Sequence, residues 1–411
     1  LEEGMVDIVK EEPEVLIVKE DEAKEIFGSI KLNIDDTAKE KLRKNKVKSE
    51  IKEKSNEYVE EDALNLYKEF NSFLENSSDI IPDTGIKDTI ATGIDLLDAI
   101  LGGGFVIGAL NIIVGQPGSG KSMLAMQTLA QAQKQFKGDL IGAFLDSEES
   151  TTTARLANLG VKYPKLKPYN DITIEKVFKF LEGLSVFKQE KNLINTPSVV
   201  IWDSIANTLS QKEREAEDIN SVIGYKAKLL SLLIPKYVSK CSKNNICFIA
   251  VNQLRDSLQM GPYQAPRDLK FMSSSKEMPG GTVLKYNAFQ LIEMKTGKVL
   301  ELDKYGFDGI LVKLKCVKNK LFTPNIEIEI AGSFTSGFSN FWTNYEFLKA
   351  CKLLNSGAWN YLISKPEIKF RTKDALDLYN TNEEFRQAFD KDAKDAIKTE
   401  IIDKFGVQEG I

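Results

Sequence analysis

The sequence predicts an α/β fold: a mostly parallel, twisted sheet flanked by helices and built around a phosphate-binding loop. Three observations carry this. Short apolar runs at 110–114, 140–145, 199–202 and 246–251 end in polar residues and alternate with helical patterns, as parallel strands joined by crossover helices require. The segment Gly115-Gln116-Pro117-Gly118-Ser119-Gly120-Lys121-Ser122 follows the first run and opens a helix-forming stretch over 121–134, which is the context of a P-loop. Asp203 ends the run beginning at Ser198, where a second strand of such a sheet presents an acid.

Taken in order, residues 1–56 are rich in Glu, Lys and Asp and read as a charged, mobile arm. Leu1 to Gly4, ahead of Met5, are expected to be foreign to the natural chain. Residues 57–89 hold an amphipathic helix and a linker. Leu64, Leu66, Tyr67, Phe70, Phe73 and Leu74 recur at helical spacing, so this helix docks either on its own core or on a neighbouring copy. Residues 90–334 form the sheet-bearing core, with 289–294, 310–317 and 326–330 as an antiparallel extension. Residues 335–411 read as a helical region led by Phe341, Trp342, Phe347 and Leu348.

Composition narrows the chemistry. The 411 residues include no histidine, and the four cysteines (Cys241, Cys247, Cys316, Cys351) contain no Cys-x-x-Cys pair. That argues against zinc and a disulfide framework, and for reduced thiols packed as small hydrophobes in a cytosolic protein. Any general base is then a carboxylate, a lysine or an ordered water. No apolar run approaches the roughly 20 residues of a membrane span. The net charge of −5 is uneven: residues 1–89 carry 14 Lys/Arg against 24 Asp/Glu, the remainder 41 against 36. A mildly basic body leaves nucleic-acid binding open, since binding follows where the charges lie.

The loop 115–122 implies a bound nucleoside triphosphate. Its glycines let backbone N–H groups face the phosphates, Lys121 neutralises charge there, and the Ser122 hydroxyl ligates Mg²⁺, with Asp203 holding that ion through water. Glu148 stands at the end of the strand candidate 140–145 and could polarise the attacking water. Glu149 competes with it, and spacing alone does not choose.

In these blocks the chain resembles the RecA-type recombinases, and most closely the phage recombinases of the UvsX type. The resemblance rests on Ile90-Ala91-Thr92-Gly93-Ile94 with Leu96-Leu97, Asp146-Ser147-Glu148, Arg155 to Val161, Trp202-Asp203-Ser204, Ala250-Val251-Asn252-Gln253, Gly280-Gly281 and Lys318-Asn319-Lys320, in that order. It covers roughly residues 90–334. It implies a RecA-like ATPase core that uses ATP and Mg²⁺, with Glu148 as the catalytic glutamate and Gln253 as the sensor of the γ-phosphate. Lys318 and Lys320 would reach the ATP of a neighbouring subunit, as an arginine finger does. Arg155 stands where relatives stack an aromatic ring on adenine, and a guanidinium also stacks. Lys285 and Tyr286 fall on family interface positions.

Two stretches are candidates for DNA contact. Residues 254–281 are too long for a simple connection and carry Arg255, Arg267, Lys270 and Lys276 with Tyr263 and Phe271, a mixture suited to phosphates and unstacked bases. Gly280 and Gly281 would hinge it. Residues 210–224 hold Lys212 and Arg214 among several acids. The resemblance makes these the second and first DNA loops. The expected partners are single-stranded DNA, homologous duplex DNA and further copies of the chain in a helical filament, with a recombination mediator and a single-strand-binding protein as accessory partners in an infected bacterial cytoplasm. A hexameric helicase motor and a non-catalytic mediator are the alternatives on the same core.

Overall fold

Parallel strands buried on both faces need apolar side chains on both, and the five longest central runs supply them. In the computed structural model they are β3 (Leu110–Gly115), β4 (Ile141–Asp146), β6 (Ser198–Asp203), β7 (Ile246–Gln253) and β8 (Gln290–Leu300). Residues 88–149, 151–162, 168–169, 171–218, 222–254, 278–333 and 335–406 are described, within one compact unit, Gly85–Ile411. The arm 1–56, the helix expected near residues 58–74 and the cationic residues of 255–277 lie outside them. Among the described residues no helix is long and apolar enough to cross a membrane.

The remaining strands are β1 (Thr89–Ile90), β2 (Phe105–Val106), β5 (Pro168–Tyr169), β9 (Gly309–Asn319), β10 (Ile326–Ser333), β11 (Gly337–Phe338), β12 (Leu354–Asn355), β13 (Asn360–Leu362) and β14 (Lys365–Phe370). Among the described residues the main sheet has nine strands in the order β11-β10-β9-β8-β3-β7-β6-β4-β5. From β8 to β5 all neighbours are parallel, and from β8 outward to β11 all are antiparallel. The segment 289–294, expected in the antiparallel extension, is therefore the junction: β8 runs parallel to β3 on one side and antiparallel to β9 on the other.

One face of the sheet packs on α1 (Asp95–Leu101) and α2 (Lys121–Gln135), burying Leu97, Leu101, Leu124 and Leu129 against Ile113, Ile249 and Ile292. The other packs on α3 (Ile174–Glu190) and α4 (Tyr225–Lys243), where Phe178, Leu181 and Ile234 meet Trp202 and Phe248. Cys241, Cys247 and Cys316 are buried in these layers, and burial raises their thiols, Cys241 and Cys316 to about 12. They pack as small hydrophobes.

The C-terminal region is not helical throughout. After α5 (Asn340–Ala350) the chain forms a three-stranded antiparallel sheet, β12-β13-β14, before α6 (Ala375–Thr381) and α7 (Glu383–Ile397). An aromatic cluster of Phe341, Trp342, Tyr345, Phe385 and Phe389 unites them.

Candidate functional site

The sheet delivers the ends of β3, β4, β6 and β7 to one edge, and every described group of the phosphate site stands there. Gly115 is demanded by packing, since a Cβ would lie 2.2 Å from the Met294 carbonyl oxygen of β8. Gly118 and Gly120 take φ of +75° and +85°, the left-handed region where side chains are strained. Gly120 caps α2 without a side-chain hydrogen bond, leaving first-turn N–H groups to face an anion. The Gln116 carbonyl gathers the loop, accepting from Ser119 N–H (3.3 Å), Ser119 Oγ (2.9 Å) and Lys121 Nζ (2.7 Å). Gln116, Pro117 and Gly118 are exposed while Lys121 is buried. Burial lowers the Lys121 ammonium, opposed by the charges of Asp203 and Glu148.

Three carboxylates line the strand ends, in different settings. Asp146 and Asp203 are register partners on β4 and β6 and both are buried. Asp146 accepts from the N–H groups of Glu148 and Thr151, each at 3.0 Å, which folds the turn that presents Glu148. Burial pushes Asp203 up to about 6, against a hydrogen bond with Ser122 and with added repulsion from Glu148 and Asp146. Such a buried acid bonded to the loop hydroxyl fits a Mg²⁺ bound with phosphates and waters. The Asp203–Ser204 peptide is cis, and Ser147 Oγ fastens it by donating to the Asp203 and Ser204 carbonyls and accepting from Ser204 N–H (2.9 Å).

Glu148 and Glu149 diverge. Glu149 takes a φ of +51° and accepts from the Asp171 N–H. Glu148 faces the strand ends, where its Oε1 accepts from Ser204 Oγ (3.1 Å), Asn207 Nδ2 (2.6 Å) and Gln253 Nε2 (3.3 Å). Lys121, Ser122, Asp203, Glu148 and Gln253 are thus brought together. Ser204 and Asn207 were missed by sequence reasoning. Ser204 follows Asp203 in the block Trp202-Asp203-Ser204, whose pattern assigns it no role, and Asn207 carries no signal in the sequence.

Lys318 and Lys320 are set back from this edge. Lys318 pairs with Leu291, and Leu291 is level with Ile112, whereas Gly115 is level with Met294. Three strand residues, about 10 Å, therefore separate the Lys318 register from the loop. Lys320 lies past the end of β9, its Nζ over the Phe289 ring at 5.6 Å. Lys318 Nζ donates to the Lys285 and Tyr286 carbonyls, each at 2.8 Å. Both lysines are thus set back along the sheet from their own chain's P-loop. Arg155 is exposed on a short helix, Thr153–Asn158, capped by Thr152.

Of the first DNA-loop candidates, Lys212 lies over the Tyr225 ring at 5.0 Å, and Arg214 pairs with Asp171 at 2.5 Å. The second loop has its described ends tied together: Asn252 Nδ2 donates to the Pro279 carbonyl at 2.8 Å. Gly280, with φ of +100°, packs so closely that a Cβ would meet Leu284 Cδ1 at 2.6 Å, and Gly281 has φ of +79°. Arg255, Arg267, Lys270 and Lys276 lie outside the described residues.

The sequence comparisons agree with this architecture. The chain is 31% identical over 252 residues to the Protein RecA of Thermus aquaticus, covering 61% of this chain and 68% of that one. It is 26% identical over 326 residues to the Protein RecA of Crocosphaera subtropica, covering 79% and 86%, and 30% identical over 275 residues to that of Sinorhizobium fredii, covering 66% and 70%. The RecA N-terminal domain family matches residues 81–339, which span the P-loop, both buried acids and all nine strands of the main sheet, and the chain belongs to that family.

Proposed function

We propose that this RecA-family chain is an ATP-dependent recombinase: a DNA-stimulated ATPase that polymerises on single-stranded DNA and promotes homologous pairing and strand exchange. The observation that carries it is the contact between Gln253 and Glu148, because Gln253 is the last residue of β7 and the candidate second DNA loop begins at the next residue, Leu254. A group that senses phosphate and roots a DNA-binding segment lets each ligand bias the other.

The residues divide the work. Gln116 to Ser122 hold the triphosphate, Lys121 offsets charge on it, and Ser122 with Asp203 would hold Mg²⁺, which supplies charge neutralisation at the phosphate oxygens. Glu148 polarises the attacking water, and Gln253 leaves Glu148 for the γ-phosphate when ATP arrives. Arg155 stacks on the base. Lys318 and Lys320, remote from their own loop, complete the site of an adjacent copy, so turnover depends on assembly. Lys212, Arg214 and the cations of 255–277 follow the DNA backbone, with Gly280 and Gly281 letting the second loop reorient.

The test is ATPase activity with and without single-stranded DNA across protein concentration, with electron microscopy of the same samples. Stimulation that rises steeply with concentration, together with helical filaments, is expected. Concentration-independent turnover, or uniform closed rings, would overturn it.

A further inference from the structure

We infer that Asn207 is a positioning residue for Glu148 and ties the first candidate DNA loop to the same carboxylate oxygen that Gln253 ties to the second. The inference rests on the proposed roles of Glu148 and the two loops.

Glu148 is an exposed side chain on a turn, with nothing in its own backbone to fix its rotamer. Among the described residues all three of its hydrogen-bond donors converge on Oε1 and none on Oε2. An ionised carboxylate only accepts, so each partner must present a proton, and the Asn207 amide nitrogen at 2.6 Å makes the shortest of the three bonds. Occupation of one oxygen by three donors leaves the other able to accept from a water.

Asn207 sits on a turn that leads into the first loop and is held by a residue from beyond the loop's far end. Three residues later Ser210 opens the loop with a capping box, its side chain and backbone exchanging hydrogen bonds with Glu213. Past the loop's far end, Lys226 Nζ reaches back to the Ala206 carbonyl at 3.1 Å and the Ile205 carbonyl at 3.4 Å. The turn's base is anchored in the core, with Ile205 N–H on the Val251 carbonyl and Thr208 Oγ1 bridging Trp202 Nε1 and the Ser204 carbonyl. Rearrangement of the loop on DNA therefore pulls on a short segment whose exposed member is Asn207. Asn207 and Gln253 bring both loops to one atom, so the geometry of Glu148 depends on both being in place.

Single-turnover hydrolysis on single-stranded DNA tests this with Asn207→Ala, Asn207→Asp, Glu148→Gln and the Asn207→Ala/Glu148→Gln pair, alongside KM for ATP and DNA affinity. Asn207→Ala is expected to lower the rate about tenfold, as loss of a charge-assisted hydrogen bond does, with KM and DNA affinity within about twofold of wild type. Asn207→Asp, nearly isosteric but placing a second carboxylate on Glu148, is expected to lose more. In the Glu148→Gln background Asn207→Ala is expected to cost nothing further. A full tenfold loss in that background, a raised KM at unchanged rate, or wild-type turnover by Asn207→Asp would overturn the inference. Wild-type turnover by Glu148→Gln would instead overturn the role of Glu148 itself.

Discussion

Gln253 Nε2 donates to Glu148 Oε1 at 3.3 Å across the gap between β7 and the turn after β4. The bond is long for a charge-assisted contact, as suits the proposed release of Gln253 from Glu148 when ATP arrives. Replacing Glu148 with Gln keeps an acceptor oxygen for these donors but removes the proposed base. DNA-stimulated turnover is expected to fall by roughly 10²–10⁴-fold, the range of general-base catalysis, with nucleotide binding retained. Steady-state ATPase and an ATP-binding isotherm on the same preparation check it.

The buried setting of Asp203 predicts a pH dependence. Its carboxyl is held up at about 6, chiefly by burial, so the nucleotide-free protein takes up a proton there as the pH falls through 6. With Mg²⁺ held there as proposed, the ion and that proton compete for the same group. Affinity for Mg²⁺ with a non-hydrolysable ATP analogue is expected to be level above pH 7 and to weaken by up to about tenfold per unit below 6. The nucleotide's own phosphate titrates nearby, so the diagnostic quantity is the difference between wild type and Asp203→Asn. The variant binds more weakly at neutral pH and loses less on acidification.

A stability prediction comes from Lys188, which is 0% exposed on α3. Its Nζ donates to the Thr196 carbonyl at 2.6 Å, to Ser198 Oγ at 3.0 Å and to the Asn244 carbonyl, joining a helix to the loops that lead into β6 and β7. Lys188→Met keeps the stem's packing but leaves buried carbonyls without this donor. A loss of about 2–4 kcal/mol is expected. Urea unfolding of the nucleotide-free protein measures it, with an unchanged m-value marking an unaltered denatured state.

These residues mark how far the sequence is legible. Strand ends carrying Asp146, Asp203 and Gln253 could be read because an apolar run followed by a polar residue is a local pattern. Strand order could not: the segment 289–294 looks like its antiparallel neighbours, and only pairing with Leu110–Gly115 makes it the junction. The C-terminal sheet escaped because β12 and β13 have two and three residues, too short for alternation to register. Lys188 reads as one more charge on an amphipathic helix, and Asn207 as one more polar residue in a turn, since their partners come from other segments.

The last prediction concerns Lys318 and Lys320. Strand register puts Lys318 level with Ile112, three residues back from the P-loop end of β3, with Lys320 just past the end of β9, so within one chain about 10 Å or more of strand separates them from the loop. If they act on ATP, they act on another copy's. A Lys121→Ala chain has lost its own phosphate site but keeps both lysines, and a Lys318→Ala/Lys320→Ala chain keeps its phosphate site but offers nothing to a neighbour. Each alone is expected to fall by about 10³-fold or more, comparable to loss of an arginine finger. Mixed on single-stranded DNA, they form junctions in which an intact phosphate site faces intact lysines. Activity should then reappear, peak near equal proportions and approach about a quarter of wild type if neighbours are drawn at random and junctions turn over independently. A mixture no more active than the sum of its parts would mean that these lysines do not act across an interface.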